Sequence, residues 1–196
     1  MKHSIRDEFH GVAVFVGAMW AVYLLDLILP IRLAAWGIVP RTLWGLVGIP
    51  LCPFLHASWT HLVGNTVPLV ILLMLLAGSR TRSWETVAEI VLAGGGLLWL
   101  FGRSADHVGA SGLVYGLIAF LIVAGFREKR LVSLLVAMLV GFLYGWSLLW
   151  SVLPTIGSHV SWDGHLCSAI AGAWLGYRVV KTKTRAEGYP ALPDAA

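Results

Sequence analysis

Charge is the scarcest commodity in this chain of 196 residues. Asp, Glu, Lys and Arg together make up 12% of it, roughly half of what soluble domains carry. Residues 42–79 contain none of the four, a gap too long for one helical span of ~20 residues. With 58% hydrophobic residues and a mean hydropathy of +0.81, this excludes an ordinary soluble domain and implies a polytopic α-helical membrane protein. Strict apolar/polar alternation is also missing, which argues against an outer-membrane barrel. Two cysteines, Cys52 and Cys167, supply neither a disulfide framework nor zinc-site spacing; Cys167 lies in an apolar stretch and reads as a small packing residue. The net charge of +4 does not signal nucleic acid, because the basic residues flank apolar segments as topology signals do.

What is present is a series of apolar segments. Six spans are predicted, over residues 11–29, 62–77, 85–101, 111–126, 131–153 and 164–180, with Pro30 and Pro154 closing the first and fifth. The expected organisation is a cytoplasmic N-terminal segment 1–10, a membrane domain 11–180 and a disordered cytoplasmic tail 181–196. Residues 31–61 are too broken by Pro40, Pro50 and Pro53 to span, yet carry Trp36, Trp44 and Trp59. Tryptophan favours the membrane interface, so this connection reads as a partly embedded loop whose backbone must be satisfied by protein. Eleven Lys and Arg residues fall on the side of the termini and three (Arg32, Arg41, Arg103) on the other, which predicts cytoplasmic termini.

Against this background a few polar residues stand out. Ser111 heads the fourth span within Gly109-Ala110-Ser111-Gly112, and His165 heads the sixth. By the predicted topology both lie toward the outer ends of their helices. Ionisable groups at membrane depth are functional candidates. Gly109, Gly112 and Gly116 leave room beside Ser111; Ser168, Gly172 and Gly176 form a small-residue stripe with His165. Small residues let membrane helices approach closely, and close approach would bring the two within hydrogen-bond reach, as an activated serine needs. His61 and Asn65, one turn apart at the head of the second span, are donors of the kind that stabilise an oxyanion, as is the Ser111 amide. Tyr115, one turn below Ser111, is placed to pack against the imidazole. The bland readings are helix-contact glycines and interhelical hydrogen bonding. Asp163, two residues before His165, is not spaced for a direct triad; His107 is expected in the outer loop.

These motifs, in this order, resemble the rhomboid family of intramembrane serine proteases over residues 36–177. Gly109-Ala110-Ser111-Gly112 is similar to the family's GxSG, His165 ahead of Gly172 to its general base, and His61 with Asn65 to its HxxxN pair. His56 and Tyr115 fit the extended pattern. The resemblance implies a six-helix rhomboid-like bundle with an interfacial loop between the first two helices. It implies a Ser111–His165 dyad without an acidic third member, an oxyanion site of His61, Asn65 and the Ser111 amide, and support from His56, Gly109, Gly112, Tyr115 and Gly172. It also implies cleavage of single-span membrane proteins, with small residues at the cut. Ser168 departs from the glycine common there, and slightly looser packing is expected.

No cofactor or metal is expected, since HExxH is absent and no carboxylate is suitably spaced near the histidines. The expected partners are membrane-protein substrates with a transmembrane helix and the lipid bilayer, with no nucleic acid; the expected location is a bacterial plasma membrane. The alternatives are a non-catalytic rhomboid-like protein that binds membrane clients, and a small transporter, against which no repeated pair of interrupted helices is found.

Overall fold

The computed structural model describes residues 5–79, 82–128, 130–154 and 160–186, and all regular elements among them are helical apart from an antiparallel bridge between Ile38 and His107. The main helices are α1 (Ile5–Ile28), α2 (Leu43–Leu51), α3 (Trp59–Ser79), α4 (Ser83–Phe101), α5 (Ser111–Glu128), α6 (Leu131–Ser151) and α7 (Trp162–Ala186). Five of these (α1, α3, α4, α5 and α6) are long and apolar enough to cross a membrane. Their outward faces carry Leu27, Ile28, Phe101, Phe142 and Trp146 in exposed positions. So much exposed apolar surface suits lipid and not water. The sixth expected span is α7, equally long but more polar, and it packs between α4 and α5.

The helix ends differ from the expected ones. α1 starts at Ile5, before residue 11, with Asp7 and Glu8 in its first turn, where carboxylates complement the helix dipole. α7 runs to Ala186, beyond the expected boundary at 180, so residues 181–186 are helical where disorder was expected. The remainder of the expected tail, 187–196, and residues 1–4 lie outside the described residues.

α5 is the axis of the bundle. Its membrane window is 56% buried, against 17% for α6, and Leu117 and Phe120 are fully enclosed. It is flanked by α7, α6, α4 and α3. Against α7 the approach is backbone to backbone. A Cβ on Gly172 would lie 2.0 Å from the Gly116 carbonyl oxygen, and one on Gly176 2.8 Å from that of Phe120. Lipid offers no hydrophobic drive for helix pairing, so such close van der Waals contact is what holds the pair.

The connection between α1 and α3 is structured, not spanning. Thr42 caps α2, its hydroxyl accepting the Gly45 N–H at 3.0 Å. Trp44 and Leu43 point outward, and Trp36 meets Trp44 edge to face with ring centroids 5.8 Å apart. The backbone finds protein partners, as burial beside lipid requires. Ile38 and His107 exchange N–H···O=C bonds of 2.9 and 3.0 Å, the Gly109 N–H reaches the Cys52 carbonyl at 3.0 Å, and the Arg41 N–H reaches that of Trp99 at 3.0 Å. The bonds to His107 and from Gly109 fasten the connection to the segment that leads into Ser111, and the last ties it to the end of α4.

Candidate active site

Ser111 is the first residue of α5, and His165 lies in the first turn of α7. The paired glycines hold the helices close enough for the Ser111 Oγ to stand 2.9 Å from His165 Nε2. The other ring nitrogen, Nδ1, is 3.1 Å from the carbonyl of Ser151 at the end of α6. A carbonyl only accepts, so Nδ1 carries the proton and Nε2 presents its lone pair to the Ser111 hydroxyl. That is the tautomer a general base needs. Tyr115, one turn along α5, packs on the imidazole with ring centroids 4.3 Å apart. Its hydroxyl is 3.0 Å from Ser147 Oγ and 2.6 Å from Ser151 Oγ, so Tyr115 also ties α6 to the site.

His61 and Asn65 face the same place from α3. Gly109 has φ +111°, a conformation that favours glycine, and a Cβ there would fall 2.5 Å from His61 Nε2 and 3.5 Å from Asn65 Nδ2. This turn delivers Ala110 and Ser111 beside the two side chains. The Nδ2 of Asn65 is buried and has no hydrogen-bond partner among the described residues. An idle buried donor is costly and calls for an explanation. The Ser111 N–H belongs to the first turn of α5, where amides lack intrahelical acceptors and the dipole favours negative charge.

His56 lies before α3, 2% exposed, with its ring 5.1 Å from that of His61. Burial first, and the neighbouring His61 next, push its imidazole down to about 4, with the Phe54 carbonyl acting the other way. The ring is therefore neutral near pH 7, and its Nε2 accepts the Ala110 N–H at 3.5 Å. Ser168 occupies a slot between two glycines. A Cβ on Gly94 would lie 2.7 Å from its Oγ, and one on Gly112 3.0 Å away. The serine thus fills space left by α4 and α5, and the looser packing expected at this departure is not what the geometry has. Gly112 and Gly172 act as spacers on α5 and α7.

Asp163 makes no hydrogen bond to the imidazole. It accepts the Arg103 N–H at 2.8 Å and the Arg103 guanidinium at 3.2 Å. His107, buried in the α4–α5 loop, meets Ser161 Oγ at 2.6 Å and the Arg103 carbonyl at 3.1 Å. Together these bonds clasp the loop to the start of α7. Asp163→Asn is therefore expected to lower stability by about 1–2 kcal/mol, a figure reduced because Arg103 is 44% exposed. A thermal melt in detergent checks this, and a far larger activity loss at a temperature where the variant is folded would contradict a purely structural clasp.

A cavity of about 650 Å³ opens beside Ser111 and His165, between α3 and α6, and His61, Asn65, Tyr115, Tyr144 and Ser147 also line it. A smaller hollow of about 40 Å³ lies on the other side of the pair, walled by Gly112, Ser168, Ile49 and Leu98 among others. Sequence reasoning did not find Ser151 or Ser147. No signal marks Ser151, because its contribution to the imidazole is a backbone carbonyl that any residue would bring.

The family model described as Rhomboid domain matches residues 40–182. An uncharacterized protein of Mycobacterium tuberculosis is 37% identical over 200 residues, covering 92% of this chain and 82% of the relative. One of Mycobacterium leprae is 38% identical over 199 residues, covering 94% and 78%. With this match over most of its length, and with an all-helical membrane bundle, the chain belongs to the rhomboid family.

Proposed function

We propose that this protein is an intramembrane serine endopeptidase that cuts transmembrane segments of membrane proteins with a Ser111–His165 dyad. The observation that carries the reading is the 2.9 Å contact between Ser111 Oγ and His165 Nε2, with Nδ1 bound to a carbonyl at 3.1 Å. A substrate helix enters the cavity and unwinds locally. His165 takes the Ser111 proton as Oγ attacks the scissile carbonyl. The oxyanion that forms is held by Asn65, His61 and the Ser111 N–H. His165 then protonates the leaving amine, and water from the cavity releases the acyl-enzyme. The small hollow beside the pair, about 40 Å³, supports a preference for a small side chain at the cut. The excess of Lys and Arg on the side of the termini supports a cytoplasmic position for both, and the mycobacterial relatives favour a bacterial plasma membrane.

The test is cleavage of labelled transmembrane-helix substrates by the full chain in liposomes, paired with a fluorophosphonate probe. Cleavage, with probe adduct mapped to Ser111, supports the reading; a folded protein that neither cleaves nor labels overturns it. Asn65→Ala should lower kcat by about 10²–10³-fold with KM little changed, since an oxyanion donor acts in the transition state. Equal loss in kcat and affinity for an uncleaved substrate analogue would instead assign Asn65 to binding.

A further inference from the structure

Two carboxylates, Asp106 in the loop before α5 and Asp163 in the first turn of α7, are treated differently by the structure. Asp163 is buried and committed to Arg103 and His107. Asp106 is exposed, makes no hydrogen bond or ion pair with any described residue, and lines the same cavity as Ser111 and His165. It is the only Asp, Glu, Lys or Arg among the described residues that line this cavity. The two arginines bound to or within the α4–α5 loop are engaged elsewhere: Arg41 binds the Gly102 carbonyl at 2.8 Å and Ser104 Oγ at 3.1 Å, and Arg103 binds Asp163.

A lone charge on the wall of a cleft with low-dielectric sides biases what enters it. We infer that Asp106 is a specificity-determining residue, selecting substrate helices that carry a Lys or Arg on the flank of the cut nearest the Asp106 loop. The inference rests on the proposed protease reading and deepens it by naming a substrate class. A basic residue there is a discriminating mark. Membrane proteins concentrate Lys and Arg on the cytoplasmic side, whereas Ser111, His165 and Asp106 lie at the opposite end of the bundle by the topology proposed above. Most single-span proteins would then present no cation to Asp106.

The experiment scans one transmembrane substrate with Lys, Gln or Glu placed one position at a time along that flank, and reads kcat/KM for each in liposomes at low and high salt. The readout is the Lys-to-Glu ratio within each protein, which a general loss of activity or folding does not move. For wild type the ratio should reach about three- to tenfold at one or two adjacent positions, the range for a solvent-accessible ion pair, and should shrink with salt. In Asp106→Asn it should fall toward one, and in Asp106→Lys it should invert. Cleavage of the Gln substrate with a flat ratio in wild type overturns this inference and leaves the protease reading standing. A ratio that survives Asp106→Asn overturns it too, placing the selectivity elsewhere. If wild type cleaves none of the substrates and takes no fluorophosphonate label, both readings fall together.

Discussion

Ser111→Ala is expected to reduce peptide cleavage by at least about 10⁴-fold, with no loss of fold. The Oγ is the atom that would bond to the substrate carbonyl, and among the described residues it is the hydroxyl that hydrogen-bonds His165 Nε2, at 2.9 Å, while the Ser151 carbonyl holds the other ring nitrogen at 3.1 Å and the Tyr115 ring packs alongside. His165→Ala should cost a similar factor, because the hydroxyl is a weak nucleophile without a base. The sharper expectation concerns the pair. Residues that act as one unit are strongly non-additive, so the double variant should be hardly worse than either single one. Single-turnover rates in liposomes check this. Independent, multiplying losses would mean that the two side chains act in separate steps, and cleavage that survives Ser111→Ala would remove it as the nucleophile. Substrate affinity, measured with an uncleaved analogue, should hold within a few-fold in both variants, since each change trims one side chain and leaves the rest of the cavity lining in place.

The second large effect comes from a residue with no chemistry of its own. Gly172→Val should cost both stability and activity, because even its Cβ would stand 2.0 Å from the Gly116 carbonyl oxygen and 3.0 Å from the Gly116 Cα. Those atoms are backbone and cannot rotate away, so α5 and α7 must part. Overpacking of this kind typically costs about 1–3 kcal/mol. A shift of about 1 Å between Ser111 and His165 would lower turnover by roughly 10²-fold. The comparison is Gly141→Ala on α6, where an added Cβ meets nothing within 4 Å. That change should be neutral or stabilising, by up to about 1 kcal/mol in helix propensity. Thermal melts and fluorophosphonate labelling of the two variants, side by side, decide it. Full labelling of Gly172→Val would show that the dyad tolerates helix separation.

Much of the bundle was legible in the chain because the bilayer imposes one simple rule. An uncharged run longer than one span, and further apolar segments of which two are closed by Pro30 and Pro154, leave helices as the only answer. The embedded connection was legible in the same way, from tryptophans and prolines that neither a spanning helix nor a soluble loop would carry. That α2 forms within it was not, since a nine-residue apolar helix with Pro50 inside owes its existence to the surface it packs on. α7 was the weakest span by composition, and the reason lies in its place: sheltered by α4 and α5, it can carry Asp163, His165 and Ser168 where a lipid-facing helix could not.

The sequence by itself determined the membrane class, the order of the helices, and the placing of Ser111, His165, His61 and Asn65 at the heads of their spans. Charge, periodicity and residue type are local properties, and a bilayer reads them directly. Only the tertiary structure decided which groups surround His165. Its proton is placed by the backbone carbonyl of Ser151, the acidic residue two positions away bonds Arg103, and Asp106 lines the cavity with no bond to any described residue. Those outcomes depend on where α6 ends and how the α4–α5 loop folds back on α7, contacts between segments distant along the chain that no local pattern encodes.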